Sequence, residues 1–148
     1  MAEQRVSASR VINSDPQALF DIVADPTMHP VFDGSGSVKR VKGGHRKLAM
    51  GDRFTAGMRV GVPYRISNKV VEYDEGERIA WAHFGGWRWR FEFEAVDGGT
   101  LVTETFDWST SKASWYIERS GSPRKNQANI DRTLARLDAY VNNTSTQL

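Results

Sequence analysis

The sequence predicts an α+β fold in which a curved antiparallel sheet of about six to seven strands wraps around one long C-terminal helix. Short strand-like runs follow one another and are separated by glycine-containing turns, with no crossover helix between them. The run from Trp87 to Ala95 alternates apolar and charged residues without a break, so one face of this strand is apolar. The cover for such a face is an apolar stripe with helical spacing near the C-terminus, formed by Ile130, Leu134, Leu137 and Val141.

The N-terminal part is predicted to contain one strand and two short helices. Residues 5–12 alternate weakly and suit the first strand. Ser14 and Gln17 have the spacing of a capping box, which predicts that a helix begins there. Asp25-Pro26 is expected to end this helix, and a second short turn is predicted at residues 28–32.

The remaining strands and the last helix follow in order. A hairpin is predicted at residues 97–100, and residues 113–117 are expected to form a short helix or a lid. The long helix is predicted to begin at Ser122-Pro123, and residues 142–148 to form a frayed polar tail. The chain from 1 to 148 is interpreted as a single domain. The strands are predicted at residues 38–41, 53–60, 64–73, 78–84, 87–96 and 101–108.

The composition narrows the classes of function. No cysteine is present, which excludes disulfides, thiol catalysis and thiolate metal sites. The formal net charge of +2 comes from interleaved basic and acidic residues, so nucleic-acid binding is not expected. No apolar run approaches the roughly 20 residues of a membrane helix, and the first residues lack an apolar signal region. We therefore expect no stable membrane insertion and a cytoplasmic location.

Metal and cofactor chemistry is not expected. His29, His45 and His83 have no ligand spacing, and the sequence contains neither a phosphate-binding loop nor a nucleophile elbow. His29 and Asp33 fall near the predicted early helices, at the expected mouth of the interior, where a loop-capping role is predicted for both.

The apolar interior is the candidate binding site. A curved sheet that closes on one helix of medium-sized aliphatic residues leaves space for a small molecule. The alternative is that the aromatic rings fill this space, since cores and cavities are lined by the same residue types. The predicted ligand-binding residues are Met58, Tyr64, Ile66, Trp81, Trp89, Phe91, Glu104, Phe106, Trp108, Ile130 and Leu134.

Glu104 is the candidate for chemistry in this interior. If the hairpin loop consists of Gly98 and Gly99 alone, Glu104 lies opposite Phe93 and points inward. A lone carboxyl group there has its pKa raised by desolvation, which is typical of functional groups. The alternatives are a three-residue turn, which would direct Glu104 to solvent, or an ion pair with an arginine such as Arg59.

His83 is the second candidate catalytic residue. If Trp81 faces inward, His83 reaches the same interior two residues later, where it and Glu104 are candidates for general acid–base work near neutral pH. Tyr64 and Asn68 are candidates for hydrogen bonds to a ligand.

Four segments in this order resemble a known family. They are VINSDPQALFDIVADP, VPYRISNKVVEYDEGERIAW, WRWRFEFEAVDGGTLVTETFDW and SGSPRKNQANIDRTLARLDAYV. Together they are similar to the polyketide cyclase/dehydrase-like branch of the START/Bet v 1 (SRPBCC) superfamily, in its actinobacterial form. The resemblance implies a helix-grip fold with a deep cavity, in which relatives hold lipids, sterols, hormones or aromatic polyketides. It implies no shared catalytic residues, so it does not supply the reaction.

Three hypotheses on function follow. The first is binding, with possible transport or sequestration, of a hydrophobic, aromatic or lipid-like small molecule. The second is a polyketide cyclase or dehydratase in which Glu104 or His83 acts as general base on an acidic C–H. The third is an interaction module that dimerises through Trp115, Tyr116 and Ile117. The expected assembly is a monomer or a weak homodimer.

Overall fold

A computed structural model describes residues 4–41, 44–83 and 85–145. The predicted end of one strand at Phe84 and the last three residues of the predicted tail lie outside these ranges. The helices are α1 (Pro16–Val23), α2 (His29–Phe32), α3 (Ser114–Arg119) and α4 (Ser122–Ser145), with a 3-10 turn at Pro26–Met28. The strands are β1 (Arg5–Ile12), β2 (Val38–Val41), β3 (Arg53–Val60), β4 (Val62–Asp74), β5 (Arg78–Ala82), β6 (Arg88–Val96) and β7 (Gly99–Asp107).

The strands form one antiparallel sheet in the order β1-β7-β6-β5-β4-β3-β2. The register shifts between Val38 and Arg40 on β2 and between Val70 and Glu72 on β4, and irregularities of this kind bend a sheet. Helix α4 packs against β1, β7, α2 and α3, so the curved sheet and the short helices enclose it. The predicted helix-grip fold is confirmed.

Helix α4 buries the predicted apolar stripe. Ile130, Leu134, Leu137 and Val141 are all buried in the core. Burying one such aliphatic side chain stabilises a fold by about 2 kcal/mol, so this stripe is a main attachment of α4 to the sheet. The helix continues to Ser145, beyond Asn142, where the tail was predicted to begin. No helix in the described ranges is long and apolar enough to cross a membrane.

Helix α1 begins one residue later than the capping-box spacing predicts. The N-cap is Asp15, whose Oδ1 accepts a hydrogen bond from the Ala18 amide at 2.9 Å, and Pro16 is the first helical residue. Ser14 instead offers its carbonyl to the Thr100 hydroxyl at 2.7 Å. An ionised carboxylate at this position satisfies a free amide of the first turn and also interacts favourably with the helix dipole.

The hairpin between β6 and β7 differs from the predicted register by two residues. Its loop is Asp97-Gly98, because Val96 pairs with Gly99, and Glu104 therefore lies opposite Phe91 rather than Phe93. Gly98 has a φ of +90°, which suits the tight turn. A shift of two residues leaves each side chain on its original face, so Glu104 still points inward.

Candidate functional site

A cavity of about 340 Å³ lies between the inner face of the sheet, the α2–β2 loop, α3 and α4. It is the space that the one-sided sheet and the single covering helix were expected to leave. The sequence-based alternative, a solidly filled interior, is therefore wrong. The apolar residues that line the cavity are Phe32, Val38, Phe54, Ala56, Met58, Ile66, Trp81, Trp87, Trp89, Phe91, Phe106 and Ile117.

The aromatic wall is ordered by contacts between rings. Trp81 on β5 and Trp89 on β6 are direct cross-strand partners. The Trp81 ring stacks on Phe91, with centroids 5.8 Å apart, and on His29 at 4.6 Å. Trp89 packs on Phe106 at 4.8 Å. Such contacts fix the rings, because aromatic pairs have preferred geometries.

Glu104 lies at the centre of β7, between Ala8 on β1 and Phe91 on β6. Its side chain lines the cavity and only 5% of the residue is exposed. Its Oε1 atom is buried and has no hydrogen-bond partner among the described residues, and no described arginine, Arg59 included, forms an ion pair with it. Burial raises the pKa of Glu104 well above its usual range, and the negative charge of Asp33 raises it further.

Asp33 closes the loop after α2 and also lines the cavity. Its Oδ2 accepts hydrogen bonds from the Ser35 hydroxyl at 2.5 Å and from the Val38 amide at 3.5 Å. The predicted loop-capping role is therefore confirmed. Its position in the lining adds a second carboxyl group to the cavity, beside that of Glu104.

His29 is buried inside the cavity wall rather than placed at its mouth. Its Nε2–H donates to the carbonyl of Val23, the last residue of α1, at 2.9 Å. Burial lowers the pKa of His29 to about 4, so the ring is neutral at pH 7. The ring therefore acts as a cap for α1 and as an aromatic surface against Trp81.

His83 lines the cavity near the end of β5, as the position of Trp81 predicted. Its Nδ1 accepts a hydrogen bond from the Gly85 amide at 3.0 Å, and its ring meets the edge of Trp87 at 4.1 Å. Burial lowers the pKa of His83. The neutral ring consequently carries its proton on Nε2, and Nδ1 is already engaged.

Helix α4 turns polar side chains toward the cavity, a feature that the sequence analysis missed. Asn129 donates through Nδ2 to Oδ1 of Asn126 at 3.3 Å, and the Thr133 hydroxyl accepts from the Gly34 amide at 2.8 Å. The signal in the sequence was a second stripe with helical spacing beside the apolar one. Its members are Ser122, Asn126, Asn129 and Thr133.

Three of the predicted ligand-binding residues do not line the cavity: Trp108, Ile130 and Leu134. Trp108 packs against the Phe106 ring and donates from Nε1 to Glu118 at 3.1 Å. Ile130 and Leu134 belong to the stripe that faces the core, one residue away from the polar stripe. The predicted residues that do line it are Met58, Tyr64, Ile66, Trp81, Trp89, Phe91, Glu104 and Phe106, with Asn68.

The residues predicted to form a dimer surface separate into different environments. Ile117 is only 4% exposed and lines the cavity, so its assignment to an exposed surface is wrong. Tyr116 also borders the cavity, although most of its side chain is exposed. Trp115 is 64% exposed and contacts the edge of Tyr116. Helix α3 is thus part of the cavity wall.

A family model and two curated relatives match most of this chain. The model for polyketide cyclase/dehydrase and lipid transport proteins matches residues 3–142. The uncharacterized protein Rv0088 of Mycobacterium tuberculosis is 40% identical over 144 residues, which cover 93% of this chain. The chain spans 64% of the length of the curated relatives that it matches.

Solved structures of low sequence identity share the fold. Protein NE0264 of Nitrosomonas europaea has a TM-score of 0.73 at 14% identity, and the match covers 99% of each chain. The AHSA1-like protein of Aeromonas hydrophila has a TM-score of 0.64 at 19% identity, with 92% of this chain and 93% of that one covered. These likenesses support the helix-grip architecture. Because the family model matches residues 3–142, nearly the whole chain, the chain belongs to the polyketide cyclase/dehydrase and lipid transport family of the SRPBCC superfamily.

Proposed function

We propose that this domain binds a hydrophobic small molecule in the cavity between the sheet and α4, as a carrier or a sequestering protein does. The observation that carries the proposal is the aromatic-lined volume of about 340 Å³. Ligand pockets commonly measure roughly 300–1,000 Å³, so this one suits a compact ring system better than a diacyl lipid.

The packed aromatic rings and the polar groups of the cavity wall support binding. The Trp81 ring stacks on both His29 and Phe91, and these contacts set its position before a ligand arrives. Binding to fixed rings costs less conformational entropy than binding to a wall that must first order itself. The polar groups of the cavity, Glu104 and Asn68 among them, are placed to orient a ligand that carries an oxygen or nitrogen atom.

A direct fluorescence titration with a probe that binds in apolar sites tests this proposal. The probe is N-phenyl-1-naphthylamine, an uncharged molecule whose emission rises in an apolar site. Ile66→Trp would place a large ring in the cavity and should weaken binding at least tenfold. Val62→Trp is the matched control on the same strand, because Val62 is exposed and does not line the cavity, and it should change affinity less than twofold.

Two results would contradict the proposal that the cavity binds a hydrophobic molecule. If the Ile66→Trp protein is folded by circular dichroism and binds the probe as well as the Val62→Trp protein does, the cavity is not the binding site. Absence of saturable binding to the wild-type protein, up to the solubility limit of the probe, also contradicts the proposal.

A second candidate function is catalysis by Glu104. The observation that favours it is a buried acid with an unpaired oxygen in the same cavity as a histidine. The raised pKa of Glu104 supports a general acid rather than the general base expected from the sequence. Its proton would go to the departing hydroxyl group, which leaves as water when the C–O bond breaks, and the carboxylate so formed would take the proton from the adjacent carbon, which regenerates the acid. The engaged Nδ1 of His83 likewise disfavours a base at that atom.

Dehydration of an aromatic β-hydroxy ketone tests the catalytic candidate, since the conjugated enone that forms is followed by its ultraviolet absorption. General acid catalysis is worth about 100-fold or more, so Glu104→Gln should lower the rate by at least that factor. Glu94→Gln, an exposed change on β6, is the control. A wild-type rate equal to that of the buffer removes support for this candidate while leaving the binding proposal intact.

A further inference from the structure

The described lining of the cavity contains acidic groups and no lysine or arginine. Its carboxyl groups belong to Glu104 and Asp33, which lie on β7 and in the α2–β2 loop. The two histidines of the wall add no positive charge at pH 7, because burial lowers the pKa of both His29 and His83. A ligand that enters therefore meets a negative or neutral surface on every described side.

An anionic ligand finds no cation among the described residues that line this cavity. Its charged group would lose water without gaining a cation, and this desolvation is costly when it is not compensated. The Asp33 carboxylate would also repel it. The effect of Asp33 on Glu104 shows the sign of this field, because the same charge contributes to raising the pKa of Glu104.

We propose that the cavity selects its ligand by charge: it takes an uncharged molecule with a carbonyl or hydroxyl oxygen at Glu104, and it excludes carboxylates such as fatty acids. This inference rests on the proposed function and specifies the class of ligand. Glu104 lines the cavity and its buried Oε1 has no hydrogen-bond partner among the described residues, so a ligand oxygen at this carboxyl group would supply a hydrogen bond that these residues do not.

The groups around Glu104 suit an uncharged ligand better than a cation. A protonated carboxyl group donates one hydrogen bond and accepts another, so it needs no counter-ion. The Asp33 carboxylate already accepts hydrogen bonds from Ser35 and Val38, so a cation would have to compete with these donors for it. The α4 side of the cavity offers only amide and hydroxyl groups, from Ser122, Asn126, Asn129 and Thr133.

Three probes that share one naphthalene ring test the charge rule on the wild-type protein at pH 7. They are 2-acetonaphthone, 2-naphthoate and 2-naphthylmethylammonium, which are uncharged, anionic and cationic, and their affinities are measured by isothermal titration calorimetry. We expect the ketone to bind at least tenfold more tightly than either charged probe. Equal or tighter binding of the carboxylate, or of the ammonium ion, overturns the inference.

Variants of Asp33 and Glu104 test which of the two groups causes the preference for an uncharged ligand. Asp33→Asn keeps an oxygen acceptor for the loop but removes a charge, and it should strengthen naphthoate binding at least fivefold more than it alters ketone binding. Asp97→Asn, in the distant β6–β7 turn, is the control and should change neither. Glu104→Leu should weaken ketone binding at least tenfold, and Glu104→Gln should weaken it less than Glu104→Leu does, because an amide also donates. Unchanged naphthoate affinity in Asp33→Asn, or unchanged ketone affinity in Glu104→Leu, contradicts the assignment.

The result also separates this inference from the proposed function. If N-phenyl-1-naphthylamine binds and the charged probes bind as well as the ketone, the cavity binds ligands without selecting charge. If N-phenyl-1-naphthylamine binds and none of the three probes does, an oxygen-bearing ligand at Glu104 is the part that fails. If no probe binds at all, the proposed function fails and the charge rule fails with it.

Discussion

Glu104→Gln should change the way in which the stability of the fold depends on pH. In the folded protein the pKa of Glu104 lies well above its usual range because the group is buried beside Asp33, whereas in the unfolded chain it is about 4.3. Between these two values the folded state binds more protons than the unfolded state. The free energy of unfolding therefore falls as the pH rises, by at most about 1.4 kcal/mol per pH unit for one group.

His29 acts in the opposite direction over an acidic range. Its pKa is lowered to about 4 by burial, against about 6.5 in an unfolded chain. Between these values the unfolded state binds the extra proton, so this group makes the free energy of unfolding rise with pH at up to about 1.4 kcal/mol per unit. Where the two ranges overlap, above about pH 4.5, the contributions of Glu104 and His29 oppose each other.

Urea unfolding at intervals between pH 4.5 and 9 measures the Glu104 effect, because the His29 contribution is the same in both proteins and cancels. Relative to the wild-type protein, Glu104→Gln should gain stability as the pH rises above about 4.5, by at most about 1.4 kcal/mol per pH unit, until the pH passes the raised pKa of Glu104. Glu94→Gln, on the exposed side of β6, should give a curve parallel to that of the wild-type protein. Parallel curves for Glu104→Gln and the wild-type protein would refute the reasoning, because they would mean that Glu104 titrates alike in the folded and unfolded states.

Two further pairs of substitutions test the packing by urea unfolding. Gly99→Ala should cost about 3 kcal/mol, because a Cβ atom there would lie 2.1 Å from the Ile12 carbonyl oxygen, whereas Gly98→Ala, with no atom within 4 Å, should cost about 1 kcal/mol for its positive φ. Equal losses at the two glycines would contradict the close approach of the hairpin to β1. Ile117→Ala should cost about 2–4 kcal/mol as a buried wall residue, while Trp115→Ala should change stability by less than about 0.5 kcal/mol. A larger loss for Trp115→Ala than for Ile117→Ala would mean that α3 packs differently.

The inner face of the sheet could be predicted because strand periodicity determines it. The alternation from Trp87 to Ala95 assigns Trp89 and Phe91 to the interior without reference to the strand's partners. The orientation of Glu104 was right for a related reason. The predicted hairpin register differed by two residues, and any even shift preserves the face on which a side chain lies.

The rotation of α4 could not be predicted in the same way. Hydropathy marks the apolar stripe of a helix, but it does not tell which edge of that stripe borders a cavity and which is enclosed by the sheet. Ile130 and Leu134 were assigned to the ligand for this reason, and the polar residues beside them were overlooked. Trp108 was misassigned because its indole N–H donates a hydrogen bond to Glu118 on α3. Alternation along one strand cannot reveal a contact with a distant helix.

The cavity depends on this rotation, and the α2–β2 loop fixes it. On α4 the polar residues Asn129 and Thr133 each precede an apolar residue by one position, which is a turn of about 100° around the helix axis. Turning α4 by that angle would bury amides against the sheet and would turn the apolar stripe away from the sheet. Gly34 resists this turn through its own backbone: its amide donates to Thr133, and its carbonyl accepts from Arg132.

The residue type at position 34 makes that contact possible. A Cβ atom on Gly34 would lie 2.5 Å from the Asn129 carbonyl oxygen and from the Thr133 amide nitrogen, so only glycine lets the loop approach the helix backbone this closely. The next residue back, Asp33, offers its carbonyl to Arg136 while its carboxylate remains in the cavity wall. One short loop therefore sets both the rotation that directs amides toward the cavity and the position of an acidic group in the cavity wall.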